Sequence, residues 1–187
     1  MDVHPARPAT HDDVDDVAAL AAGRREDYEL QQPRFWRQAE DALTRHTSYL
    51  HGLIDEPEHI FLVTGDGERV RGFVIGRLMP APPVYDPAGL TCLVDDFAVE
   101  SADAWEPVGL RLLRDVSRAA AARGAVQVVV VSGRHDEPKR LALQAAGLVP
   151  ATEWWIGSVD SADGRAPGTG AHAARPARAA RVAGRAP

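Results

Sequence analysis

The sequence predicts an α/β fold built on one mixed sheet, antiparallel in its N-terminal half and βαβ in its C-terminal half. Three observations carry that expectation. Apolar residues recur at helical spacing in two stretches before Pro57. The period then switches to that of strands around Gly65-Asp66-Gly67, a hairpin signal. A Pro-led amphipathic stretch then separates two apolar strands, which is the pattern of a βαβ unit.

The elements follow in order. Val3–Ala9 reads as a short strand. Thr10 caps a helix whose first turns hold Asp12, Asp13, Asp15 and Asp16, where the helix dipole favours negative charge. Its apolar stripe is Val14, Val17, Ala18 and Ala21. A second helix is expected after Pro33, with Phe35, Ala39, Leu43, His46, Leu50 and Leu53/Ile54 on one face, and Pro57 stops it. Strands follow at Ile60–Thr64, Val70–Met79 and, past the prolines of residues 80–87, Leu90–Val99. Pro107 suits a first helical position, and Val108, Leu112, Leu113, Val116, Ala119 and Ala120 form one face as far as Gly124. Val126–Val131 lacks polar alternation and reads as a central buried strand. Pro138–Ala146 is a helix closed by Gly147, and Ala151–Ile156 is a last strand. The order is β-α-α-β-β-β-α-β-α-β.

Composition sets the bounds. The chain has 187 residues, 45% of them hydrophobic and 26% charged, which suits one domain with a real core. No run approaches the roughly 20 apolar residues that cross a bilayer, so no membrane partner is expected. The N-terminus lacks the basic start and apolar core of a secretory signal. The single cysteine, Cys92, leaves no internal disulfide and no cysteine-based zinc site, and the expected location is the cytoplasm. No metal is expected, because the histidines lack ligand spacing; His46 and His51 are not an i, i+4 pair.

Charge divides the chain. From Asp160 onward five arginines oppose two aspartates, giving +3 and leaving −9 for residues 1–159. Such a body binds nucleic-acid phosphate poorly and attracts small cations such as amines. Residues 160–187, nearly all Ala, Arg, Gly and Pro, bury too little to offset their ordering entropy and are expected to be a disordered tail behind a domain of residues 1–159. A nucleic-acid accessory role through that tail is a rival reading, and the acidic body argues against it.

Several strings resemble the GNAT superfamily of acetyl-CoA-dependent N-acetyltransferases over Val3–Ile156. They are the opening Ala6-Arg7-Pro8-Ala9-Thr10-His11-Asp12-Asp13-Val14, the core Val94-Asp95-Asp96-Phe97-Ala98-Val99, and Pro107-Val108-Gly109-Leu110-Arg111-Leu112-Leu113. Ala122-Arg123-Gly124-Ala125-Val126-Gln127-Val128 and Ala145-Ala146-Gly147-Leu148 complete the order. The family's loop, Arg/Gln-x-x-Gly-x-Gly/Ala, falls on Ala104, Pro107 and Gly109, and only the last is kept. The tyrosine often found four residues before the closing glycine is Leu143 here, and the asparagine seven residues earlier is Asp136.

The resemblance implies acetyl-CoA as co-substrate. Its pyrophosphate would meet the amides of Val108, Gly109, Leu110 and Arg111 at a helix start, and its pantetheine would bond to the backbone of Phe97, Ala98 and Val99 between two splayed strands. A strand N–H there would also stabilise the oxyanion. An acceptor amine must lose a proton before it attacks, and a partly desolvated carboxylate can take it. Similarity favours Asp95 as that base, with Asp96 structural or substrate-orienting; on alternation the two face opposite sides of the strand. The plainer alternative is that both cap backbone or pair with arginine. Cys92 reads as core rather than as an acyl carrier, and His135 or water would supply any proton the thiolate needs. Tyr28, Trp36, Tyr49 and Tyr85 are candidate walls of the acceptor cleft. Of Trp154 and Trp155, one is expected in the core; the other reads as a homodimer contact or as rim packing. The expected function is acetyl transfer to a small or amino-acid-like primary amine. The rival is a non-catalytic module of the same fold that binds CoA or a protein.

Overall fold

The computed structural model describes residues 4–67 and 69–159. The chain divides into two units, Met1–Glu153 and Trp154–Pro187. Of the second, residues 154–159 are described and hold no helix or strand. The expected tail, 160–187, and the start of the first strand at Val3 lie outside the described residues.

In chain order the elements are β1 (Arg7–Pro8), α1 (Val14–Gln31), α2 (Ala42–Ile54), β2 (His59–Gly65), β3 (Val70–Met79), β4 (Leu90–Val99), α3 (Gly109–Ala121), β5 (Ala125–Val130) and α4 (Glu137–Ala145). The sheet order is β1-β2-β3-β4-β5, antiparallel through β4, with β5 parallel to β4 across α3. This is the mixed sheet that the sequence predicts. Each face carries a core. On one, Val74, Cys92, Val94 and Phe97 pack against Leu112, Leu113 and Val116 of α3 and Leu143 of α4. On the other, Phe61, Val63, Phe73, Ile75 and Ala98 pack against Val14, Val17, Ala18 and Ala21 of α1 and Leu50 and Leu53 of α2. Among the described residues no helix is long and apolar enough to cross a membrane.

α3 lies close on β3 because Gly72 has no side chain. An added Cβ would sit 2.6 Å from Val108 Cγ1 and 3.0 Å from Leu112 Cδ1. Gly72→Ala is therefore expected to overpack this contact and to cost about 1–3 kcal/mol, read as a lower denaturant midpoint at unchanged slope.

The structure corrects the sequence reading in several places. Thr10 does cap the N-terminus of the helical segment, its N–H and hydroxyl both reaching Asp13 Oδ2 at 2.7 and 2.8 Å, but the segment opens as a 3-10 turn, His11–Asp13. Arg7 grips the same carboxylate at 2.7 Å through both nitrogens and, with Thr10, lowers its pKa to about 2. α2 begins at Ala42, not after Pro33. Phe35 and Trp36 instead close a turn, their amides donating to Gln32 O at 3.2 and 3.1 Å. α3 begins at Gly109 because Ala102–Trp105 forms its own 3-10 turn and Val108 N–H donates to Ala104 O at 2.9 Å. β5 is the edge strand rather than a central one, with Val126 53% exposed. The expected strand at Ala151–Ile156 is absent, and Trp154 and Trp155 are both more than 80% exposed. A run of valines marks a strand equally well at an edge and in the middle, and alternation cannot supply a ladder partner.

The correction that matters for function is in β4. Ile75 pairs with Asp96 and Gly76 with Val94, so Asp95 has no partner on β3 and forms a β-bulge. The extra residue resets the alternation. Val94 and Phe97, three apart, both enter the α3 core, while Ala98 enters the α1/α2 core. Asp96 sits on the α1/α2 side with Ala98, and the bulge removes the basis for placing Asp95 on the face opposite to it.

Candidate functional site

β4 and β5 begin as neighbours and then part. Pairing ends at Val94↔Val130 and the bond from Val131 N–H to Val94 O, 2.8 Å. Past the bulge at Asp95, Asp96–Val99 continues alongside β3 alone. The free stretch of β4 thus borders two regions of different chemistry, one on each face of the sheet.

On the α1/α2 face lies an acidic cluster. Asp96 Oδ2 is 2.9 Å from His46 Nε2, and His46 Nδ1 is 3.0 Å from Arg25 Nη1. Arginine has only donors, so Nδ1 must accept and the ring proton rests on Nε2, from which it is donated to Asp96. Arg25, His46 and Asp96 form a chain that fixes the tautomer and the position of one carboxylate. Arg25 Nε and Nη2 are buried without a hydrogen-bond partner, and burial lowers its pKa against the pull of Asp96. Asp95 is exposed, yet enough protein surrounds its carboxyl to desolvate it, and Asp96 adds repulsion; both raise its pKa. Burial and the charges of Asp95 and Asp96 also raise that of the Tyr49 phenol, so Tyr49 borders the same cluster.

On the α3/α4 face the parting is filled from within. Trp105 meets the Phe97 ring edge-on at 4.9 Å. Lys139 Nζ donates to Phe97 O at 3.3 Å and lies 5.2 Å from the Phe97 ring and 5.6 Å from that of Trp105. Behind them Asp136, 2% exposed, caps α4 through Lys139 N–H, pairs with Arg24 and accepts from Tyr28 OH at 2.9 Å. Tyr28 OH in turn accepts from Gly133 N–H at 3.0 Å.

The residues expected to hold the co-substrate fit it in part. The Phe97–Val99 edge is free of β5, but the Phe97 carbonyl is already taken by Lys139. Val108 is fully buried with its amide spent on Ala104 O. Gly109 is buried against Trp105, whose Cε3 would lie 2.6 Å from an added Cβ, so the missing side chain admits an indole. Leu110 and Arg111 lie nearer the surface, and Arg111 leans on Asp115 at 3.4 Å.

The remaining candidates scatter. Cys92 is fully buried core, its thiol pushed up by burial. His135 is exposed while its neighbour Asp136 is buried, so the two do not act together. Leu143 is in the core. Tyr28 belongs to the buried polar cluster with Trp36 tilted on it at 5.0 Å, and Tyr85 is 71% exposed on its loop. Sequence reading overlooked the chain Arg25–His46 and the cluster Arg24–Lys139. The available signals were a histidine inside the apolar stripe of α2 and a lysine one helical turn before Leu143. Among the described residues no group of three or more His, Cys, Asp or Glu is placed to hold a metal ion.

No protein-family model and no curated protein matches the chain. Solved structures do. The tetramutant of the BH1408 protein from Bacillus halodurans superposes with a TM-score of 0.72 at 16% identity, over 83% of this chain and 100% of that one. A "predicted acetyltransferase with acetyl-CoA" from Clostridium acetobutylicum gives 0.65 at 12% identity, over 84% and 96%. The aminoglycoside N-acetyltransferase AAC(6')-Iy in complex with CoA gives 0.62 at 12% identity, over 85% and 97%. The mixed sheet, the parting of β4 from β5 and these superpositions agree: the chain has the fold of the GNAT acetyltransferases.

Proposed function

We propose that this protein is an N-acetyltransferase that moves an acetyl group from acetyl-CoA to the primary amine of a small, amino-acid-like acceptor. The observation that carries the reading is the double use of one strand segment. The edge of Phe97–Val99 is released by β5 on the side where a thioester arm would add as a strand, and Asp95 and Asp96 are gathered by the bulge where an amine would arrive. That two similar structures hold acetyl-CoA or CoA supports it.

In this reading the acceptor's ammonium is drawn to the two carboxylates, and Asp95, its pKa raised by desolvation and by the neighbouring Asp96, takes its proton. Asp96, held by His46, orients the amine. The unmatched donors of Arg25 receive an anionic group on the acceptor, which is why an amino-acid-like molecule fits better than a plain amine. The neutral amine attacks the thioester carbonyl directly, and the sulfur leaves as a thiolate. Lys139 and Trp105 must move aside for the arm to enter.

The filled parting also favours a second reading, a GNAT-fold module without catalysis. Melting with acetyl-CoA at about 100 times its Kd should raise Tm by roughly 5 °C or more. Thiol release across a panel of amino acids and amines should then accompany binding. A shift without release on any amine would favour the module, and no shift at all would remove the co-substrate from both readings.

A further inference from the structure

Lys139 is the only lysine in the chain; the other side chains counted as basic are all arginine. It is also 2% exposed. A lone lysine kept inside a protein whose surface uses arginine calls for a reason, and the surroundings supply one. Among the described residues no carboxylate forms an ion pair with its Nζ: Asp136 is engaged by Arg24, Tyr28 and the Lys139 backbone N–H. Burial, with the charge of Arg24 added, lowers the pKa of Lys139 to about 7 against the opposing pull of Asp96 and Asp95. A neutral amine, the nucleophilic form, is therefore present at ordinary pH.

Its position gives that nucleophile a target. A chain that adds to a strand edge runs about 4.8 Å from it. Nζ, 3.3 Å from Phe97 O, stands in that lane. Swung off the Phe97 carbonyl to admit a thioester arm along Phe97–Val99, the Nζ would border that arm, near the roughly 3–3.5 Å from which attack begins. Bulk water and unbound acyl donors do not reach a side chain so deeply enclosed.

We propose that Lys139 is a self-acylation site, its Nζ accepting the acetyl group of an acetyl thioester bound along the free edge of β4. This rests on the co-substrate reading above. The nitrogen lone pair forms the new C–N bond, the C–S bond breaks with its electron pair on sulfur, and the proton shed by nitrogen ends on that sulfur. The products are an Nε-acetyl amide and free CoA thiol. The acetylated side chain is uncharged and retains one N–H for the Phe97 carbonyl.

The full chain incubated with acetyl-CoA should gain the mass of one acetyl group, mapped by peptide sequencing to Lys139. The rate should fall about tenfold per pH unit below about 7, as the amine protonates. Lys139→Arg should abolish the adduct, and acetyl phosphate at the same concentration should label far more slowly. The wild-type map decides the matter even if the variant fails to fold. If CoA raises Tm and acetyl-CoA leaves Lys139 unmodified, or modifies only the N-terminal amine, self-acylation is wrong and the co-substrate reading stands. Equal labelling by acetyl phosphate would also overturn it. If CoA leaves Tm unmoved and Lys139 stays unmodified, both fall together.

Discussion

Asp136→Ala is expected to cost about 3–5 kcal/mol, the largest loss of stability from any single change near the site. Asp136 is 2% exposed and is the one anion that pairs with Arg24 among the described residues, where the Arg24 side chain keeps only 17% of its surface. Removing it strands a guanidinium in the interior beside the Lys139 side chain, whose pKa burial and Arg24 already depress. The start of α4 loses its cap at the same stroke, because Asp136 Oδ1 accepts the Lys139 N–H. Tyr28→Phe supplies the scale. It removes a hydroxyl that donates to Asp136 and accepts from Gly133 N–H, without freeing a charge, and should cost about 1–3 kcal/mol. Denaturant midpoints measured on both variants check the pair. Equal losses would mean that the ion pair carries no weight beyond its hydrogen bonds.

That cluster also shows where sequence and structure diverge. β3 and β4 were legible to the residue, because Gly-rich and Pro-rich breaks bound them and strand residues fill them. The closing glycine of α4 was legible for a similar reason: Gly147 takes φ +84°, a conformation that costs glycine little. The bulge was not. Leu93 and Val94 are both apolar, so the string before Asp95 fits either face, and only the pairing of Ile75 with Asp96 reveals the extra residue. Long-range polar contacts were equally hidden. Tyr28 and Asp136 are 108 positions apart, and His46 and Asp96 are 50 apart. No local pattern links such pairs, since they meet only after the sheet is assembled. The resemblance led to the right fold. It also offered the Gly109 amide to a phosphate, and at that residue the structure shows that the missing side chain leaves room for the Trp105 ring.

Asp95→Asn is expected to lower kcat/KM by about 10²–10⁴-fold while leaving the melting temperature close to that of the parent. The substitution keeps shape and removes only the ability to take a proton. Asp95 is exposed on a bulge, and losing its charge relieves the repulsion with Asp96, so the fold has no reason to weaken. The pH profile carries the sharper signature. The base works only when ionised, so in the parent turnover should fall as pH drops through the pKa of Asp95, a limb displaced upward from the ordinary aspartate range by burial and by Asp96. That limb should vanish in the variant, whose residual rate then follows the free amine of the acceptor. Asp96→Asn is the necessary comparison. Its amide oxygen can still accept the Nε2–H of His46, so the ring stays in place and the main loss should appear in KM, as a weaker hold on the cationic acceptor. Were Asp96→Asn to abolish the acidic limb and Asp95→Asn to spare it, the two carboxylates would have to exchange roles.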